Sequence, residues 1–210
     1  MTPTTTTTTI SVDGRSLSAS AVPDLQGAID ALLARFADIR GQWSDGLFVW
    51  STWSPIVMTE QTDGFVLETP DYAGDAFNDR TTDLSLALQA SDGVVRVLNA
   101  ANRMPQDVRF NQTVEAVKGW EQHDRLIMTR SPGRDDRDSG WFIDLLGVER
   151  SEPWTLDDVV VVPLWQVAMA RPAAARVLAL PLGIKAAITG DAVEMLVDEQ
   201  TQAVLAERPL

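Results

Sequence analysis

The spacing of apolar residues changes along this 210-residue chain without settling into one rule, and this most limits the folds open to it. Leu25, Ile29, Leu32, Leu33 and Phe36 recur at helical spacing, started by Pro23-Asp24 and stopped by Gly41. The β-rich runs Leu47 to Trp53, Ile56 to Glu60 and Phe65 to Glu68 follow, with Asp63-Gly64 as a hairpin signal between the last two. Leu84, Leu86 and Leu88 alternate with polar or small residues, which predicts a half-buried strand. Val94, Val97, Leu98 and Ala101 behind Ser91-Asp92-Gly93 predict a helix, and Phe110, Val114 and Val117 a weaker one. Strands are expected at Leu126 to Thr129, Trp141 to Leu146, Val159 to Val162, Ile184 to Ile188 and Val193 to Val197. Helical turns are expected at Leu164 to Met169 and Ala173 to Leu178, with Pro172 and Pro181 punctuating the joins. No internal repeat or regular strand-helix alternation is present. The expected class is therefore α+β: a mixed, mainly antiparallel sheet with helices packed on it, in one or two small subdomains.

Residues 1–11 read as a disordered threonine-rich tail, with neither the basic start nor the apolar stretch of a secretory signal. The break at Asn102-Arg103-Met104-Pro105 suggests an N-terminal α+β region over 12–104 and a C-terminal one over 105–210. The longest apolar run, Val159 to Ala170, is interrupted by Pro163 and Gln166 and falls short of a membrane span. A cytoplasmic location is expected.

Composition narrows the chemistry. The chain has no cysteine, one histidine (His123) and two lysines (Lys118 and Lys185), so disulfide frameworks, thiolate metal sites, cysteine nucleophiles and two-histidine metal motifs are excluded. Carboxylates are in surplus, but most lie in turn-rich, polar surroundings where nothing would raise a pKa, which argues against a catalytic acid/base pair. The acids from Asp71 to Asp79 lack the alternating oxygens, central glycine and closing glutamate of a calcium loop. His123, between Gln122 and Asp124, has no visible partner. The glycines are scattered singly and form neither phosphate-binding fingerprint. No enzyme, cofactor or metal is expected.

The formal charge is −13, which opposes nucleic acid and anionic membrane and favours a basic protein partner. The charge is localised. Residues 60–92 hold eight acids, Glu60, Asp63, Glu68, Asp71, Asp75, Asp79, Asp83 and Asp92, against Arg80 alone, a net of −7. Arg130, Arg134 and Arg137 are neutralised by the interleaved Asp135, Asp136 and Asp138. Partner contacts are therefore expected at Glu68, Asp71, Tyr72, Asp75, Asp79 and Asp83. Core packing is the default for the seven tryptophans, and Trp154, after Pro153, is the surface candidate.

Gly119-Trp120, the strand Leu126 to Arg130, the acidic turn into Asp138-Ser139-Gly140-Trp141 and the late Leu180-Pro181-Leu182-Gly183 form a pattern. It resembles bacterial immunity protein family thirty-three, small cytoplasmic proteins associated with polymorphic toxin systems, over about Gly119 to Asp191. Phe142 to Leu146 stands where the family usually carries a charged segment, and the N-terminal hundred residues lie outside the pattern. The resemblance implies binding of a cognate toxin and brings no active site with it. An adaptor or chaperone for a secreted effector is the alternative. On physical grounds Asp138 and Ser139 are expected to bond local amides, Gly140 to take a conformation other residues avoid, and Trp141 to anchor the returning strand.

Overall fold

The computed structural model describes residues 4–149, 152–207 and 209–210 and divides into two compact units, residues 1–92 and 93–210. Both are mixed, mostly antiparallel sheets with small helices, so the class is α+β.

Unit one has strands β1 (Thr6–Val12), β2 (Arg15–Ala21), β3 (Phe48–Ser51), β4 (Ser54–Gln61), β5 (Gly64–Pro70) and β6 (Arg80–Thr81), with helix α1 (Gln26–Asp38). The sheet runs β1-β2-β5-β4-β3, with β6 also on β5, and only β2 and β5 are parallel. Helix α1 buries Ile29, Leu32, Leu33 and Phe36 in one core with Leu17, Met58 and Leu67. Gly64 sits where a Cβ would lie 2.1 Å from the Ser16 carbonyl oxygen, so only glycine allows β5 to approach β2 this closely.

The threonine tract differs from expectation: Thr6–Val12 is strand β1, not a disordered tail. The turn Asp13-Gly14 has positive φ at both residues (50° and 81°), which suits a two-residue hairpin to β2. Thr7 and Thr9 hydroxyls then bond Ser20 and Ser18, both at 2.8 Å. Sequence composition suggested solvation, but β-branched residues opposite a strand with a buried face pair instead.

The alternating leucines are also helical. Helix α2 covers Ser85–Ala101, capped by Asp83, whose carboxylate accepts from the amide (3.0 Å) and hydroxyl of Ser85. Leu84, Ala87, Leu88, Val94, Val97, Leu98 and Ala101 are all buried, a stripe of period 3.6 that the period-2 reading of three leucines truncated. The division into units falls after Asp92, inside this helix and ahead of the break at 102–105.

Unit two has β7 (Thr113–Val117), β8 (Arg125–Arg130), β9 (Asp138–Leu145), β10 (Val159–Pro163), β11 (Ile184–Thr189), β12 (Ala192–Asp198) and β13 (Val204–Glu207) in the order β10-β7-β9-β8-β11-β12-β13. Helices α3 (Leu164–Ala170) and α4 (Pro172–Ala175) follow β10. The weak helix expected through Phe110, Val114 and Val117 is instead strand β7, where Val114 and Ala116 alternate inward. Pairing with β10 on one side and β9 on the other overrode a sparse helical pattern. Two buried arginines tie the loops of this unit to its core. Arg130 donates to the carbonyls of Ser139 (3.1 Å), Leu180 (2.7 Å) and Asp107 (3.0 Å), and Arg171 to those of His123, Asp124 (3.1 Å) and Gly190 (3.2 Å). Burial lowers the Arg130 pKa to about 10, partly offset by Asp107, so it stays charged at neutral pH.

Candidate functional site

The acid-rich segment of unit one forms a closed loop from Asp71 to Asp79, bracketed by β5 and β6. Pro70 pairs with Arg80, and the Asp71 amide donates to the Asp79 carbonyl at 2.9 Å. Inside it are two side-chain-capped turns. Asp71 Oδ1 accepts from the amides of Ala73 (3.0 Å) and Gly74 (3.2 Å), and Asp75 Oδ1 from those of Phe77 (2.9 Å) and Asn78 (3.2 Å). Asp75 Oδ2 also accepts from Asn78 Nδ2 at 2.8 Å. That side-chain bond, together with the backbone donors, holds the Asp75 carboxyl below its usual range, so it is ionised at neutral pH.

The base of the loop is pinned. Tyr72 is buried, its hydroxyl 2.7 Å from Ser54 Oγ and its ring tilted against Trp53 at 5.2 Å, and burial pushes its pKa up. Ala76 is buried as well. Directly after the second anchor the chain projects Phe77, 63% exposed, flanked by the exposed Asp75 and Asp79. A fixed backbone, an outward ring and adjacent fixed negative charge suit recognition of a cationic protein surface.

The sequence-selected residues therefore divide. Asp75 and Asp79 are exposed on the loop, and Asp71 is half-buried within it. Tyr72, expected as a contact, is inside: the ring that suggested a hot spot is the loop's anchor. Glu68 is half-buried on β5 and accepts from Thr59 Oγ1 at 2.6 Å, while Asp83 is engaged in capping α2. Trp154 belongs to unit two, half-buried, its indole N–H donating to Asp144 Oδ1 at 2.8 Å. The more exposed neighbour is Leu156, at 95%, within the turn that Thr155 and Asp158 cap. Sequence reasoning missed Phe77. Its signal was an isolated apolar residue in a segment without period, with acids two residues to either side.

In unit two the turn from Ser131 to Trp141 is closed by the motif residues. Asp138 accepts from the Gly140 amide (2.9 Å), the Arg134 amide (3.1 Å) and Arg134 Nε (2.8 Å). Burial opposes its ionisation, but those amides and the Arg134 guanidinium together lower its pKa. Ser139 Oγ donates to the Thr113 carbonyl at 2.7 Å. Gly140 has φ 75°, and a Cβ there would lie 1.9 Å from the Ser131 carbonyl oxygen. Trp141 is buried, its Nε1 donating to the Leu178 carbonyl at 2.9 Å. A cleft of about 510 Å³ beside this turn is lined by Asp107, Arg109, Gln112, Asp135, Asp136 and Asp138. Among the described residues no group of His, Asp and Glu side chains converges as metal ligands would, and no helix is long and apolar enough to cross a membrane.

Comparison with known proteins places this architecture in a class. The Imm33-like domain family matches residues 95–199, half of the chain and wholly within unit two, and the chain belongs to that family. The match extends the Gly119–Asp191 pattern at both ends, taking in the C-terminal end of α2 from Val95 and the whole of β12. No curated protein and no solved structure matches the chain. The family name points to an immunity protein, and so to a toxin as partner in general and a role other than catalysis.

Proposed function

We propose that this chain is a cytoplasmic, non-catalytic immunity protein that binds a cognate toxin of polymorphic-toxin type and neutralises it, with the Asp71–Asp79 loop of unit one as its principal contact surface. Membership of the Imm33-like family carries the immunity reading. Support for the surface comes from the loop, where Asp75 and Asp79 flank an outward Phe77 on a backbone closed by its own hydrogen bonds. Little conformational entropy remains to be lost when such a loop docks. Its negative field would steer a basic toxin, raising the association rate at low salt by roughly 10- to 1,000-fold. A toxin that acts on nucleic acid presents the positive surface this reading requires.

The test is co-expression of the toxin encoded beside this chain, with and without it, scored by growth and by co-purification. Rescue with a stable complex is expected. A complex without rescue, accompanied by altered export of the toxin, would replace immunity by an adaptor role. Charge reversal at Asp71, Asp75 and Asp79 that left binding unchanged at low salt would remove the loop from the interface.

A further inference from the structure

We infer that strand β1 is a homodimerisation edge, pairing antiparallel with β1 of a second copy about a twofold axis at Thr9. Strand β1 leaves backbone groups unbonded on its outer side. In β2 the Ser16 amide donates to the Asp63 carbonyl (3.2 Å) and the Ser20 carbonyl accepts from the Leu84 amide (2.9 Å), so the even-numbered residues of β2 turn their backbone groups away from β1. The odd-numbered ones, Arg15, Leu17, Ala19 and Ala21, face β1 and pair with Val12, Ile10, Thr8 and Thr6. Thr7, Thr9 and Ser11 therefore point both N–H and C=O outward, and among the described residues no strand covers them.

Among the described residues the other edge strands longer than β6 are guarded. Strand β3 is only four residues long, β10 ends in Pro163, and the β12–β13 pair carries an irregularity at Leu196/Val197. Strand β1 has seven residues with no proline, charge or bulge. Exposed edges of that kind invite another strand.

A second copy fits this edge. With Thr9 opposite Thr9, Thr7 of each copy faces Ser11 of the other, and every outward amide and carbonyl of the three residues finds a partner. The same register sets Ile10 across from Thr8 and Val12 across from Thr6 on the face toward α1, where Thr8, Ile10 and Val12 are half-buried and Thr6 is exposed. Hydroxyl residues oppose hydroxyl residues on the outer face, a favourable cross-strand pairing. Charge favours self-pairing over the toxin. Thr6–Val12 is neutral, and the flanking Asp13 and Arg15 are engaged with Arg40 and Glu60, each at 3.1 Å. A chain of charge −13 can meet its copy here without facing like charges, while the strip offers nothing to attract a basic partner.

Mass measured by light scattering on the full chain, over a micromolar to millimolar concentration series, tests this. A dimer is expected for the native chain, and a monomer with native circular dichroism for Thr9→Pro, which removes an outward N–H that β2 does not use. A single cysteine, Thr9→Cys, checks the register in a chain that has no other. Opposed bonded pairs have Cα atoms about 5.5 Å apart, within disulfide reach, so oxidation should link two copies. A native chain monomeric throughout overturns the inference. So does a dimer that survives Thr9→Pro, or one in which Thr9→Cys fails to cross-link. A monomeric native chain whose toxin binding is lost in Thr9→Pro would assign the edge to a toxin strand instead.

Discussion

The two units carry acid in different ways. Unit one has 13 acidic and 4 basic side chains, net −9, and unit two 17 and 13, net −4. Their loops show the same contrast at atomic scale. In the Asp71–Asp79 loop the carboxylates cap the loop's own amides and the ring of Phe77 is left outside. In the Ser131–Trp141 turn an arginine closes on the acids: Arg134 bridges Glu115 at 2.6 Å and Asp138 at 2.8 Å, and the aromatic residue is driven into the core. One loop is built to present charge and the other to cancel it. Under the proposed function the family-matched part serves as scaffold and the loop outside the match as the contact surface.

Four experiments test that contrast. The largest effect is expected for Trp141→Ala, which empties a buried indole site and removes the shorter of the hydrogen bonds to the Leu178 carbonyl. It should cost about 3–5 kcal/mol in urea unfolding, and a loss below about 1 kcal/mol would mean the turn is no scaffold. Next is Phe77→Ala, which should leave stability within about 0.5 kcal/mol while weakening toxin binding by about 2 kcal/mol or more, roughly 30-fold, in calorimetry. Gly140→Ala should destabilise by more than about 1 kcal/mol, because both the positive φ and the Ser131 carbonyl oppose a Cβ. An alanine tolerated there would show that the turn relaxes freely.

The smallest effect is the pH dependence of Asp138. Its folded pKa lies below the ordinary 3.8, so its contribution is fully present above that value and is lost as pH falls through the lower folded pKa. Asp138→Asn should flatten the acid limb of the stability curve. An unchanged limb would show that the Arg134 contact adds nothing.

Much of this was legible in the sequence, for identifiable reasons. The α+β class followed from mixed periods, and unit two's hairpin elements from β-branched runs between turn formers. In the Asp-Ser-Gly-Trp turn the roles of Asp138 and Gly140 could be reasoned from their chemistry, because both act through local backbone, whereas the carbonyls that Ser139 and Trp141 reach, Thr113 and Leu178, lie far along the chain. What sequence could not supply was long-range. Strand β1 exists because β2 pairs with it, β7 because β9 and β10 flank it, and α2 because Asp83 caps a stripe longer than its leucines. At the candidate site the acids were found but the aromatic was mistaken. Tyr72 and Phe77 lie in the same turn-rich stretch, and the Ser54 hydroxyl and Trp53 ring beneath the loop, distant in sequence, hold Tyr72 inward.

The proposed function puts the toxin contact on unit one and not on the family-matched unit. It is tested most directly by measuring toxin affinity for two charge-matched variants side by side, Asp75→Lys/Asp79→Lys and Asp135→Lys/Asp136→Lys. The account predicts a loss of at least about tenfold at low salt for the first, with a slower association rate, and native affinity for the second. Native affinity in the first with a loss in the second would contradict it and move the interface to the Imm33-like domain.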